Sequence, residues 1–251
     1  MKRTRFILSV GLISSIVLSC KPDEVEPTPC ETCEDQLRVT VQPTFDGNFL
    51  TLDSVYTTVE GYDVKFTDIK FFVEDVRGSA QIIDAALFDF RTNGTLLFQG
   101  LGTPADVTAL TANLGVGAVN HDDPSAFPIE SVLNTNNSSG MHWDWSPGYI
   151  FIKVEGKLDT IADGNPLFDH NIIFHVGKDI NLQTLSFPNV SWQQLATKIY
   201  GCNLELNMST FLQNAGQNID LKTEYTSHTA PGQEALSLKV IENFKAALSE
   251  F

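Results

Sequence analysis

Positive charge is scarce in this chain. Sixteen Lys and Arg stand against 31 Asp and Glu, a formal charge of −15 at pH 7, and that balance argues against nucleic acid and anionic lipid surfaces as ligands. Long hydrophobic runs are missing as well. The uninterrupted stretch of apolar and small residues from Phe6 to Ser19 is too short to cross a bilayer as a stable helix, which takes about 20 residues. Cysteine is sparse, at four residues, which leaves room for few crosslinks. No Ser-His-Asp order, nucleophile elbow, phosphate loop or zinc-protease helix motif occurs, and Glu155 and Asp159, near one another on a strand, read as a solvated face rather than a catalytic pair, so the chain is expected not to be an enzyme.

What is present begins with a leader. Lys2, Arg3 and Arg5 precede the short apolar run, which ends in Val17-Leu18-Ser19-Cys20, the charged region, apolar region and small residue of a secretory signal. A small residue directly before a cysteine, with a polar Pro-containing stretch after it, is the pattern of a bacterial lipoprotein cleavage site. Residues 1–19 are therefore read as a signal peptide and Cys20 as the lipidated first residue of the mature chain. Without the leader 13 basic residues remain against 31 acids, a charge of −18. The expected location is the bacterial cell envelope, on the periplasmic side of the outer membrane or at the surface, with the lipid anchor as the sole membrane contact. From Lys21 to Gln36 one Lys accompanies six acids and three prolines, too little apolar surface to fold, and residues 20–36 read as a tether. Cys30, Cys33 and Cys202 remain for crosslinking. At most one pair can form, either Cys30 with Cys33 or one of these with Cys202.

Residues 37–251 read as one mainly β domain, an antiparallel β-sandwich or barrel-like fold with a C-terminal helix. Leu37, Val39 and Val41 alternate with polar neighbours at the period of a half-buried strand. Further strands are expected over Tyr62–Val76, broken near Asp68, then Gln81–Phe90, Thr95–Leu101, Gly148–Leu158, Leu167–Val176 and Asn203–Ser209. Turn signals such as Thr92-Asn93-Gly94 separate them. Val190–Tyr200 fits either helix or strand. Leu238, Ile241, Phe244, Ala247 and Leu248 recur at three- and four-residue steps after Pro231-Gly232, the stripe of a helix packed on a sheet.

The histidines carry the chemistry. His121 and His142 flank a long irregular stretch from Gly115 to Trp145, His175 closes a strand, and His228 lies in the loop before the last helix. Long loops with aromatics more often carry function than not. Along Phe168–Val176 the period of two puts His170 among apolar neighbours and His175 on the more polar face, so His175 is preferred as a ligand and His170 as packing. Neutral imidazole suits copper, zinc and nickel, and a thioether or π system nearby favours Cu(I).

Phe45-x-Gly47, Gly115-x-Gly117, Asn120-His121-x-Asp123-Pro124, the block Met141-His142-Trp143-Asp144-Trp145-Ser146-x-Gly148-Tyr149 through Glu155-Gly156, Phe174-His175-x-Gly177 and Asn243-Phe244 together resemble the MbnP-like copper-binding proteins. The block with two tryptophans before Gly-Tyr is the specific part. The resemblance implies a mainly β envelope domain that captures or stores copper, as Cu(I) or Cu(II), through histidines and an oxidised tryptophan, kynurenine. It carries the ligand role to His121, His142 and His175, with His228 in reserve, and the oxidation to Trp143 or Trp145. It also implies a partner, a dihaem enzyme related to bacterial cytochrome c peroxidases, that oxidises the indole. Relatives with a four-cysteine pattern differ from this domain, which has Cys202 alone. A reading of another class is a β-sandwich lipoprotein that binds glycan or a protein through exposed tryptophans, with Asp122 and Asp123 holding Ca²⁺.

Overall fold

The computed structural model describes residues 34–118, 124–143 and 148–251. The signal peptide, Cys20, Cys30, Cys33, His121, Asp122, Asp123 and Trp145 lie outside the described residues.

The chain opens with β1 (Gln36–Phe45), β2 (Asn48–Phe49) and β3 (Tyr56–Thr57), then the long β4 (Asp63–Arg77) and β5 (Gln81–Asp89), and crosses by the short α1 (Phe90–Asn93) into β6 (Leu96–Leu101). β7 (Leu110–Leu114), β8 (Ile150–Asp159), β9 (His170–Gly177) and β10 (Gln183–Phe187) follow. β11 (Gln193–Ala196), β12 (Ile199–Asn207), α2 (Met208–Leu212), β13 (Thr226–Ser227), α3 (Glu234–Ala247) and β14 (Leu248–Glu250) complete it. One sheet of six strands runs β11-β12-β1-β2, with β14 also on β12 and β6 also on β1. The other, of eight, runs β10-β7-β4-β8-β9-β13, with β3 and β5 also on β4.

The domain is mainly β, as its alternating patterns predict, with two departures. β1 pairs with β12, and β13 with β9, in parallel, so the sheets are mixed rather than purely antiparallel. Parallel neighbours need a long crossover, and nearly the whole domain connects β1 to β12. β4 does not break near Asp68. It runs through, and the register with β8 slips by one residue between Phe66 and Asp68, a bulge that lets a long strand bend around the core.

α3 closes one end of the core. Val240, Ile241, Phe244 and Ala247 are buried, whereas Leu238, expected in the same stripe, is 37% exposed. The Phe244 ring meets Phe71 of β4 at 5.4 Å and Phe211 of α2 at 5.7 Å, edge to face in both cases, the geometry that aromatic quadrupoles favour. Beside it the buried Asn243 donates from Nδ2 to the carbonyls of Phe211 and Gln217 at 3.1 and 2.8 Å, so α2 is tied to α3 by satisfied polar groups. Val190–Tyr200 resolves as β11 and the start of β12, joined by a turn in which Lys198 has φ +61°. Cys202 sits in β12, buried and, among the described residues, a free thiol, with burial, aided by the Glu250 charge, pushing its pKa up to about 11. No helix among the described residues is long and apolar enough to cross a membrane.

Candidate metal centre

β8 and β9 set the site. Their antiparallel register pairs Lys153 with His175 and Glu155 with Ile173. Val154, Phe174 and Val176 turn inward and are fully buried, so Lys153, Glu155 and His175 share the outer face. There the His175 Nε2 lies 2.7 Å from Glu155 Oε1. Lys153 Nζ is 3.3 Å from the same oxygen and 3.5 Å from Asp68 Oδ2. Asp68 Oδ2 also faces Lys70 Nζ at 3.6 Å, and Lys70 reaches the buried Asp89 at 3.0 Å. Acids and bases thus alternate in a row across β5, β4 and β8 up to the imidazole. The hydrogen bond from His175, with Lys153 beside it, holds the Glu155 carboxyl at a pKa of about 2 against the opposing effect of burial.

The loop after β13 brings the second ring. His228 and His175 meet edge to face with centroids 4.9 Å apart. Burial first, and then the neighbouring His175, push the His228 pKa below its ordinary value, so at neutral pH this ring is the uncharged imidazole that binds metals. Thr229 fastens the loop. Its Oγ1 accepts from the Gly177 N–H at 3.2 Å and donates to the His175 carbonyl at 3.3 Å, while Lys178 Nζ donates to the Thr229 carbonyl at 2.6 Å. Thr229 and Lys178 have φ of +53° and +69°, a region that costs a non-glycine residue about 1–3 kcal/mol and persists where the surroundings impose it.

Of the other candidates, Trp143 borders this place and His142 stands beside Tyr149. Met141–Trp143 and Gly148–Ile150 form a narrow hairpin, with Ile150 N donating to the Met141 carbonyl at 2.9 Å and His142 paired with Tyr149. His142 and Trp143, as successive residues, point to opposite sides of it. The His142 ring stands edge to face on Tyr149 at 5.2 Å, and the buried Tyr149 hydroxyl donates to the Leu133 carbonyl at 2.6 Å. The Trp143 indole covers Gly177. A Cβ at Gly177 would fall 2.3 Å from the Tyr149 carbonyl oxygen and 2.8 Å from Trp143 Cη2 and Cζ3, so glycine is what lets the hairpin close on β9. Gly177 and His175 share a face about 6.8 Å apart along the strand. At 5% exposure Trp143 offers no surface for stacking on a glycan. His170, at the start of β9, stacks on Tyr225 with centroids 5.0 Å apart and lies 3.6 Å from Asp169, with 40% of its side chain exposed, so it packs at the edge of the apolar face rather than within it.

The structure therefore joins His175 with His228, the reserve candidate, and adds Glu155, which the sequence presents as a solvated strand face. Asp159, which reads as part of the same solvated face, is 1% exposed and accepts from the Ile161 and Leu167 amides at 2.8 and 2.6 Å, a turn-forming role. Among the described residues no three His, Cys, Asp or Glu side chains are grouped to hold a metal ion. What stands on the outer face is a pair of imidazoles with a carboxylate bound to one of them.

Fold and site define a two-sheet, mainly β domain with a histidine pair at the rim of its larger sheet. The chain belongs to the MbnP family, whose profile matches residues 34–231. The solved structure of MbnP from Methylosinus trichosporium is similar to it at 16% identity, over 71% of this chain and 78% of that one, with a TM-score of 0.45. No curated protein matches the sequence.

Proposed function

We propose that this protein is a copper-binding lipoprotein of the bacterial cell envelope, capturing or storing the metal without catalysis of its own. The observation that carries the reading is the contact of His175 with His228, two imidazoles at 4.9 Å in a domain of the MbnP family. Imidazole nitrogen is a ligand that copper accepts in both oxidation states, so the donors fit. His175 and His228 hold the ion in this reading. His121 and His142 enter on the family resemblance, His121 from outside the described residues. Copper bound there is sequestered, and the chain's part is to present neutral nitrogens and to keep them in place.

The resemblance also supplies the second half of the proposal, oxidation of Trp143 or Trp145 to kynurenine by a dihaem partner. Ring opening turns a donor-only indole into an arylamine able to coordinate a metal. Trp143, over Gly177, is next to the histidine-bearing strand. The lipoprotein-type sequence ending in Cys20 and the acidic tether after it support a location outside the cytoplasm.

Intact mass and metal analysis of protein purified from its native envelope test the whole reading. The expected result is an acylated chain beginning at Cys20, roughly one copper per chain at an imidazole site, and a mass increase on the peptide with Trp143 and Trp145. Copper-free protein that takes up no Cu(I) on titration overturns it.

A further inference from the structure

Glu155 does more than neutralise a neighbour. An ionised carboxylate can only accept hydrogen bonds, so the 2.7 Å contact between Glu155 Oε1 and His175 Nε2 requires the proton on Nε2. The lone pair of the neutral ring is then on Nδ1. Glu155 is itself held, because Lys153 Nζ lies 3.3 Å from the same oxygen and is shared with Asp68 at 3.5 Å. Lys70 anchors Asp68 in turn at 3.6 Å. The main chain of His175 is fixed independently by the Thr229 hydroxyl on its carbonyl at 3.3 Å. Side chain and backbone are thus pinned from two directions, with the ring edge to face on His228.

We infer that Glu155 is a positioning residue: by accepting the Nε2 proton it holds His175 in a single tautomer and makes Nδ1 the nitrogen that takes copper. The inference rests on the copper reading for its metal half and on geometry alone for its tautomer half. Partners on the far nitrogen of a ligand histidine commonly set its tautomer, its orientation and its basicity, and their loss costs about 10–100-fold in metal affinity. In Glu155→Gln the amide oxygen stays turned towards Lys153, a pure donor, and towards His175, so that variant keeps the tautomer. Glu155→Leu removes it.

The test is ¹H–¹⁵N two-bond correlation spectroscopy on the metal-free protein at about pH 8.5, above the ordinary imidazole pKa of ~6.5, followed by Cu(I) competition titration of the same samples. His175 should show one tautomer protonated at Nε2 in wild type and in Glu155→Gln, and a mixture in Glu155→Leu. Copper affinity should fall about 10–100-fold in Glu155→Leu and little in Glu155→Gln. A wild-type His175 protonated at Nδ1, or mixed, overturns the inference. So does an unchanged affinity in Glu155→Leu. The expected tautomers with no copper uptake by any sample overturn the copper reading and leave Glu155 as the residue that orients His175.

Discussion

Replacing His175 or His228 by alanine should lower Cu(I) affinity by more than the roughly 10–100-fold that loss of an outer-shell partner costs, and replacing both should abolish uptake. The two rings touch at 4.9 Å, and the reading gives each one coordinating nitrogen. Neither variant opens a hole in the core. His175 lies on the outer face with 16% of its side chain exposed, and His228 is in a loop whose fixings are the Thr229 and Lys178 bonds, which survive. Competition against a chromophoric Cu(I) chelator reads the affinity, and near-wild-type melting temperatures confirm the fold. Affinity unchanged in both single variants contradicts the site. His170→Ala is the internal control, since that ring is committed to Tyr225 and its loss should leave copper binding as it was.

Phe244→Ala should cost about 3–5 kcal/mol, the range for deleting a fully buried aromatic side chain. Phe244 is completely buried and joins the rings of Phe71 and Phe211, so three elements lose their common contact and the space cannot be refilled from one side. Because whole-domain stabilities are about 5–15 kcal/mol, this one change removes a large fraction. Leu238→Ala, on the same helix but exposed, should change stability by no more than about 0.5 kcal/mol. Urea unfolding followed by fluorescence measures both. A Phe244→Ala loss under about 1 kcal/mol, far below the range for a buried aromatic, contradicts the packing described for α3.

That pair of residues shows how far the sequence could be read. The three- and four-residue spacing of Ile241, Phe244 and Ala247 identifies the helix, yet the same spacing enrols Leu238, because periodicity locates a face and not its edges. Long alternating strands such as β1 and β9 are legible for the same reason. β7 and β10 are not: each has five residues, too few for alternation to rise above chance, and they are held by pairing with each other and, through β7, to β4. The parallel pairing of β1 with β12 is invisible locally, since it joins segments about 160 residues apart.

The site follows the same logic. His175 is legible, because strand parity alone puts it on the polar face. Its company is not. Glu155 reads as one more solvated acid until the β8–β9 register sets it diagonal to His175, and His228 stays a reserve candidate until the Thr229 latch places its loop against the end of β9. Gly177 stands out in sequence only as part of Phe174-His175-x-Gly177, with no sign there of why glycine is needed. The reason for it is the Trp143 indole and the Tyr149 carbonyl, both from a hairpin whose docking no local pattern announces.

The most direct test of the central claim is copper K-edge X-ray absorption on copper-loaded protein, wild type beside His175→Ala and His228→Ala. Outer-shell scattering from at least two imidazoles in wild type, reduced by one ring in each variant, is the result this account predicts. Spectra without imidazole scattering, or identical across the three proteins, would place the copper elsewhere.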